Sequence, residues 1–146
     1  MEEELKGRVL VVDDEEQFLK TFSKRLEMRG LKIETVTSGE EALSKVKGRD
    51  FDAIILDLVM PGIGGMETLK KLKEENPDLQ IIILTGHGTI EKGVEAIKAG
   101  AMDFVEKPAD INKILEKIGE AKHKRVMLVE KRAEEHIQEI MKRKGW

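Results

Sequence analysis

The sequence predicts an α/β fold in which helices cover both faces of a doubly wound, five-stranded parallel sheet. Three observations lead to this prediction. Five short β-like runs alternate with segments of helical periodicity. The first, third and fourth runs are almost continuously apolar, as strands that are buried on both faces should be. The connections between them are short, which favours right-handed crossovers between parallel strands.

The strand candidates are the five β-like runs. Each run is separated from the next by a stretch that is long enough for one helix. We predict strands at Arg8–Val12, Lys32–Val36, Ala53–Leu56, Gln80–Leu84 and Asp103–Val105.

The first four helix candidates show apolar residues at helical spacing. Ser38 suits the N-cap of the second helix, and Asn76-Pro77 closes the third because the residue before a proline disfavours helical backbone. Gly30 and Gly100 suit the ends of the first and fourth. The apolar positions are Phe18, Leu19, Phe22 and Leu26; Ala42, Leu43 and Val46; Met66, Leu69 and Leu72; Ile90, Val94 and Ile97.

The last segment differs because Gly119 is its only helix stop between Asp110 and Gly145. We therefore expect one helix of about 35 residues, which is roughly 50 Å long. Its first part, with Ile111, Ile114, Leu115 and Ile118, should pack on the sheet. Beyond that part, an imperfect heptad pattern follows. The heptad residues are Val126, Val129, Ala133, Ile137 and Ile140.

Two interpretations of the heptad residues stay open. The helix folds back on the body as an amphipathic helix, or it pairs with a second chain as a coiled coil in a homodimer. On both interpretations, residues 1–122 form one domain and residues 123–146 extend its last helix.

Polar side chains follow the apolar runs at one edge of the predicted sheet, where open α/β folds place their sites. Asp13 and Asp14 follow the first run, Asp57 the third and Thr85 the fourth, and Lys107 comes shortly after the fifth. Three carboxylates, a hydroxyl and an ammonium in one pocket suit a divalent cation and a phosphoryl group. Each residue alone is more simply a cap, a turn former or a solvated charge, but their joint occurrence at four strand ends makes that explanation improbable.

Each of these residues meets one requirement of phosphoryl transfer. The Asp57 carboxylate would attack a phosphoryl donor once positive charge lets two anions meet. Mg²⁺ held with the help of Asp13 and Asp14 would bring that charge, since it prefers oxygen ligands. Lys107 would neutralise one phosphoryl oxygen, and the Thr85 hydroxyl would donate a hydrogen bond to another.

Four segments lie at the predicted strand ends, LVVDD at 10–14, ILDLVMPG at 55–62, ILTG at 83–86 and FVEKP at 104–108. Together they resemble the receiver domains of two-component response regulators. The resemblance covers about residues 6–122 and implies a flavodoxin-like sheet in the strand order 2-1-3-4-5. It also implies that Asp57 accepts a phosphoryl group from a sensor histidine kinase or a histidine phosphotransfer domain.

The resemblance further implies the roles of individual residues. Asp14 and Asp57 would ligate Mg²⁺ directly, with the backbone carbonyl of Val59 as a third ligand, whereas Asp13 would act through water. Thr85 and Phe104 match the two switch positions of the family. Lys107-Pro108 matches a pair whose peptide bond is usually cis. Val59 and His87 match two positions that border the site and modulate it.

Two other phosphate chemistries are disfavoured. Phosphatases of the haloacid-dehalogenase type need a second aspartate two residues after the nucleophile, and that position is Val59 here. Neither a P-loop pattern nor G-x-G-x-x-G follows the first strand, which disfavours a nucleotide-binding protein. We therefore expect a switch that catalyses only its own phosphorylation and dephosphorylation, and not an enzyme.

The output of the switch has two interpretations. The stretch at 85–88 and the long last helix resemble the receivers that precede an ATPase module in transcription activators of the nitrogen-regulation type. The chain would then be a receiver with its dimerising linker. The alternative is a complete single-domain regulator or a phosphorelay intermediate.

Composition limits the remaining function classes. The chain has no cysteine, which excludes disulfides, thiolate zinc sites and cysteine nucleophiles. No apolar run approaches the ~18 residues that span a bilayer, and the acidic start Met1–Glu4 is unlike a secretory signal, so we expect a cytoplasmic protein. Residues 117–146 hold nine Lys or Arg but also five Glu, and the net charge is −3, so nucleic acid is not an expected direct partner.

Overall fold

A computed structural model of the chain describes residues 6–86 and 90–145, so the acidic start Met1–Glu4 and His87 lie outside the described residues. Within the described residues, five strands alternate with five helices. In chain order they are β1 (Arg8–Val12), α1 (Glu16–Glu27), β2 (Lys32–Val36), α2 (Gly39–Lys45), β3 (Ala53–Asp57), α3 (Gly64–Glu75), β4 (Ile81–Thr85), α4 (Ile90–Lys98), β5 (Asp103–Glu106) and α5 (Ile111–Arg143).

The strands form one parallel sheet in the order β2-β1-β3-β4-β5. This confirms the predicted fold and the strand order that the resemblance implied. Val12 at the end of β1 pairs with Val36 on one side and with Leu56 on the other. The carboxyl ends of β1 and β3 therefore lie side by side at the point where the strand order reverses, which is where such sheets bind their ligands.

Burial on both faces of the sheet explains the apolar runs. Every residue of β3 and β4 is buried, as are the last four residues of β1. Val9 and Val11 belong to a cluster with residues of α1 and α5, whereas Leu10 and Val12 belong to a second cluster with residues of α2 and α3. Because successive side chains of a strand point to opposite faces, both clusters need apolar residues, and no polar alternation remains.

The helix ends follow the predicted signals. The Ser38 side chain accepts a hydrogen bond from the Glu41 amide at 3.2 Å and caps α2, which confirms the predicted N-cap. Gly30 and Gly100 follow α1 and α4 with φ values of 93° and 113°. A residue with a side chain rarely adopts that backbone conformation, which explains why glycine occupies the two helix ends.

The fourth helix packs on a different face from the one its apolar residues indicated. The three larger apolar residues of this helix are each at least 42% exposed; they are Ile90, Val94 and Ile97. The buried residues of α4 are instead Gly93 and Ala96. A Cβ atom on Gly93 would lie 2.8 Å from Cγ of Phe104, so the helix can approach β5 only through its small residues. The helical spacing predicted the helix correctly but not its buried side.

The last helix runs without interruption for 33 residues. Ile111, Ile114 and Ile118 are buried against the sheet, as predicted. Beyond residue 122 the helix leaves the core, and the heptad residues Val126, Val129 and Ile137 are between 44% and 55% exposed. Along the described parts of the chain, no helix is both long enough and apolar enough to cross a membrane.

Ion pairs join the extension of α5 to the loops that lead into β3 and β4. Arg125 lies 2.9 Å from Asp50 and 3.5 Å from Asp52, measured between guanidinium nitrogen and carboxylate oxygen. Two helical turns further along, Arg132 lies 2.8 Å from Asp78. These contacts lie at the amino-terminal end of the strands, which is opposite to the edge that carries the predicted site.

Two helical glycines make a matched stability test. A Cβ atom on Gly65 would lie 2.4 Å from Cα of Leu58 and 2.5 Å from the carbonyl oxygen of Asp57, whereas a Cβ on Gly119 would have no neighbour within 4 Å. We expect Gly65→Ala to lower the free energy of unfolding by about 1–3 kcal/mol through overpacking. Gly119→Ala should raise it by roughly 0.5–1 kcal/mol, because alanine favours the helix. Urea denaturation measures both, and equal midpoints would contradict the close packing at Gly65.

Candidate phosphoacceptor site

Three aspartates converge at the carboxyl ends of β1 and β3. Asp13 follows β1 and is fully buried, Asp57 is the last residue of β3 and is 5% exposed, and Asp14 is exposed. One carboxylate oxygen from each lies within 4.8 Å of the other two. The amide of Asp13 donates to the carbonyl of Val36 at 3.2 Å, which continues the pairing of β1 with β2 and fixes Asp13 beside the sheet edge.

The Asp57 carboxylate lies in surroundings that disfavour its charge. Burial raises its pKa, and the neighbouring charges of Asp13 and Asp14 raise it further. The amide of Val59, which donates to Oδ1 of Asp57 at 3.1 Å, and the ammonium of Lys107 oppose that rise without overcoming it. The site is therefore short of positive charge, which favours the binding of a cation.

The ammonium of Lys107 lies between two of the carboxylates. Its Nζ donates to Oδ2 of Asp13 at 2.7 Å and lies 3.5 Å from Oδ2 of Asp57. Burial opposes the charge of the lysine, but the hydrogen bond to Asp13 and the charge of Asp57 outweigh it and raise the pKa of Lys107. The contact with Asp13 is one that the sequence did not indicate.

The backbone around Lys107 ties it to the neighbouring strand. The amide of Lys107 donates to the carbonyl of Thr85 at 2.7 Å. The Lys107-Pro108 peptide bond is cis, which confirms the expectation from the family resemblance. Lys107 thus follows β5 at the level at which β4 ends.

The Thr85 hydroxyl is a buried polar group that has no hydrogen-bond partner among the described residues. Thr85 ends β4, is 1% exposed, and its Oγ1 makes no hydrogen bond to the residues at 6–86 and 90–145. Leu84 pairs with Asp57, so Thr85 lies one position beyond the acceptor candidate on the adjacent strand. An unpaired buried hydroxyl costs about 1–3 kcal/mol, which a ligand oxygen in the site would offset.

The other predicted site residues lie at the border of this group. Val59 follows Asp57 with an exposed side chain, and its amide, as noted, bonds to the acceptor candidate. Phe104 lies on β5, where it pairs with Ile83, and its ring is half-buried against Gly93. The structure thus brings the three aspartates and Lys107 into contact, places Thr85 beside them, and sets Phe104 further along the sheet.

The donor set favours a hard divalent cation. The cluster of possible metal ligands that the described residues form consists of carboxylates alone. Mg²⁺ prefers such oxygen ligands and keeps several waters, whereas zinc prefers histidine and cysteine. One orphaned hydroxyl and one ammonium beside three carboxylates suit a phosphoryl group that is bound together with the cation.

The helical spacing of α1 assigned Phe18 only to the core, yet Phe18 also borders the site. Its ring lies beside Lys107, with 4.4 Å between the lysine Nζ and the ring centroid. The ring lines an apolar cleft of about 390 Å³, together with Phe22, Arg25 and Pro108. The position of Phe18, four residues after Asp14 and in the first turn of α1, is the one sequence signal that points to the site.

Residues 9–119 match the response regulator receiver domain family. The chain is 34% identical to the C4-dicarboxylate transport transcriptional regulatory protein DctD of Pseudomonas aeruginosa, in an alignment that covers 86% of this chain and 27% of that protein. It is 39% identical to the photosynthetic apparatus regulatory protein RegA of Cereibacter sphaeroides, over 73% of this chain and 58% of that protein.

The solved structure of NtrX from Brucella abortus superposes with a TM-score of 0.80 and 29% identity, over 86% of this chain and 29% of that one. The chain therefore spans only part of the length of these relatives. The order of the strands, the acidic group at the edge of the sheet and the family match over most of the sequence agree with one another. The chain belongs to the response regulator receiver domain family.

Proposed function

We propose that this receiver accepts a phosphoryl group on Asp57 from a sensor histidine kinase or a histidine phosphotransfer domain in the cytoplasm, and that it thereby controls a partner or an output domain. The observation that carries the proposal is the nearly buried Asp57 carboxylate, which has two further carboxylates within 4.8 Å and an ammonium 3.5 Å away. A nucleophilic carboxylate needs such surroundings to meet an anionic donor.

The contacts of the two Asp57 oxygens favour one of them as the nucleophile. Oδ1 accepts from the Val59 amide, whereas Oδ2 faces the Lys107 ammonium. Oδ2 would attack the phosphorus atom while the bond from phosphorus to the donor nitrogen breaks, and the nitrogen keeps the electron pair. Lys107 would neutralise a phosphoryl oxygen during this step.

The proposed cation site divides the aspartates into two kinds. Both oxygens of Asp13 already accept hydrogen bonds, Oδ1 from the amide of Glu15 at 2.9 Å and Oδ2 from Lys107 at 2.7 Å. This supports a role of Asp13 through water. Asp14, Asp57 and the carbonyl of Val59 would be the direct Mg²⁺ ligands, as the family resemblance implies. The bound ion would supply the positive charge that the site lacks.

The switch would use the groups that change partners on phosphorylation. Thr85 gains an acceptor for its unpaired hydroxyl, and Lys107 exchanges a carboxylate for a phosphoryl oxygen. Such differential contacts commonly supply ~1–3 kcal/mol of coupling. Phe104, packed against Gly93, would carry the change to α4 and β5, while Val59 and His87 would set the lifetime of the phosphorylated state.

The extension of α5 supports a second part of the proposal, in which residues 123–146 form a dimerising linker. Four of the heptad residues, Val126, Val129, Ala133 and Ile137, are exposed, and Ile140 is half-buried. A two-stranded coiled coil would bury them. DctD and RegA, which are named as regulatory proteins, are longer than this chain, since the alignments cover 27% and 58% of their lengths. A complete single-domain regulator is the alternative, and the oligomeric state separates the two.

Asp57→Asn should abolish labelling by radioactive acetyl phosphate in the presence of Mg²⁺, because it removes the nucleophilic oxygen. Asp52→Asn is the matched control, since Asp52 precedes the same strand at the opposite end of the sheet. Label retained by the Asp57 variant would show that another residue is the acceptor.

Asp57→Asn should also raise the Tm by a few degrees when Mg²⁺ is absent. The folded state raises the pKa of Asp57, so the ionised carboxylate destabilises the fold at neutral pH and the protonated form does not. The difference in Tm should shrink as the pH falls below the range in which Asp57 ionises.

Adding Mg²⁺ should raise the Tm of the wild type, and it should raise the Tm of Asp14→Asn by less. Calorimetry that finds equal shifts for both proteins would exclude Asp14 as a ligand.

The linker proposal predicts a dimer that depends on concentration and on the exposed heptad face. Ile137→Lys should raise the Kd of the dimer by about tenfold or more, because it places a charge in the apolar seam. Gln138→Lys, one residue along the same exposed helix, should leave the dimer intact. Light scattering with and without beryllofluoride, on the full chain and on a chain that ends at Lys122, measures both; a monomer at high concentration would refute the linker.

A further inference from the structure

The ammonium of Lys107 has an aromatic neighbour in addition to its two carboxylates. Its Nζ lies 4.4 Å from the centroid of the Phe18 ring, which is within the range of a cation–π interaction. The carboxylates of Asp13 and Asp57 lie 2.7 Å and 3.5 Å from the same atom. Groups from three different segments therefore surround one cation.

A second ring supports Phe18 from within the core. The rings of Phe18 and Phe22 stack with 5.0 Å between their centroids and 17° between their planes. Phe22 belongs to the buried cluster on the α1 side of the sheet. The chain has four phenylalanines and no tyrosine, so half of its phenylalanines lie in this stack. The buried ring fixes the plane of Phe18 and hence the site that it offers to a cation.

The apolar cleft explains why the lysine needs such a partner. The cleft of about 390 Å³ borders Lys107, whose side chain is 21% exposed. A lysine stem has four flexible carbons, and ordering it costs up to about 2 kcal/mol of rotamer entropy. Without the ring, the stem could turn into the cleft and take the ammonium away from the acceptor.

We propose that Phe18 is a positioning residue that holds the Lys107 ammonium at the Asp57 carboxylate in readiness for the phosphoryl group. This inference rests on the proposed role of Asp57 as the acceptor. The ring remains beside the cation while Lys107 exchanges its carboxylate for a phosphoryl oxygen, because a π face does not compete with either anion for hydrogen bonds. Phe18 thereby acts through Lys107 and touches neither the phosphoryl group nor the acceptor.

Fluorinated phenylalanines at position 18 test the electrostatic part of this role. Successive fluorine atoms weaken the negative face of the ring while largely preserving its shape. The rate constant for phosphorylation by acetyl phosphate at saturating Mg²⁺ should fall stepwise, by about twofold to fivefold for the pentafluoro ring. Phe18→Leu should lower the rate constant as far, and Phe18→Trp should retain the wild-type rate. A pentafluoro ring at Phe51, which is fully buried in the other cluster, is the matched control and should leave the rate unchanged.

A second measurement needs no phosphorylation. In the unphosphorylated protein, the ring should shift the NMR signals of the Lys107 ε-methylene protons upfield, and Phe18→Leu should abolish that shift. Asp57→Asn should keep it. A rate that stays flat along the fluorine series, or ε-methylene signals that Phe18→Leu does not move, would overturn the inference. If Asp57→Asn still accepts label, the proposed acceptor is wrong, and the NMR measurement alone then decides whether Phe18 holds Lys107.

Discussion

The crowding of like charges at one edge of the sheet is the constraint on which the rest of the structure depends. Asp13, Asp14 and Asp57 come together although the charges of Asp13 and Asp14 disfavour the ionisation of Asp57, and the ammonium of Lys107 compensates this effect only in part. Such an arrangement persists only if the surrounding fold is stable enough to impose it. On the proposed function, the unfavourable electrostatics would favour the uptake of a cation, and the cation would then let an anionic phosphoryl donor approach.

The doubly buried sheet is what imposes this arrangement. Because the side-chain period of a strand is two, a slip of β3 by one residue would exchange its two apolar faces and move Asp57 away from β1. Leu10 and Val11 lie in opposite clusters, so the register is set from both sides of the sheet. Gly65 adds a local constraint, since only a residue without a side chain lets α3 approach the carbonyl of Asp57 so closely.

The sequence was sufficient to predict the strands, their order by family resemblance, and the set of polar residues at the strand ends. Those features follow from local patterns, since an apolar run that is buried on both faces has few alternatives. The buried side of α4 could not be predicted in this way. Periodicity places Ile90 and Val94 on one face, but it does not show that Phe104 packs against Gly93 so closely that a side chain would not fit there. The contact of Phe18 with Lys107 could not be predicted either, because it depends on how two distant segments meet.

The course of α5 has a mechanical consequence. The helix begins beside the phosphoacceptor edge at Asp110 and passes the opposite end of the sheet, a span of roughly 50 Å for a helix of this length. Arg125 and Arg132 hold it to the loops at that far end. A rigid helix that starts beside the site and is supported at the far end would transmit motion along its length. On the proposed function, a tilt of a few degrees at Ile111 would become a displacement of several ångströms at the tip, so a small adjustment around Asp57 would change how the helix meets a partner.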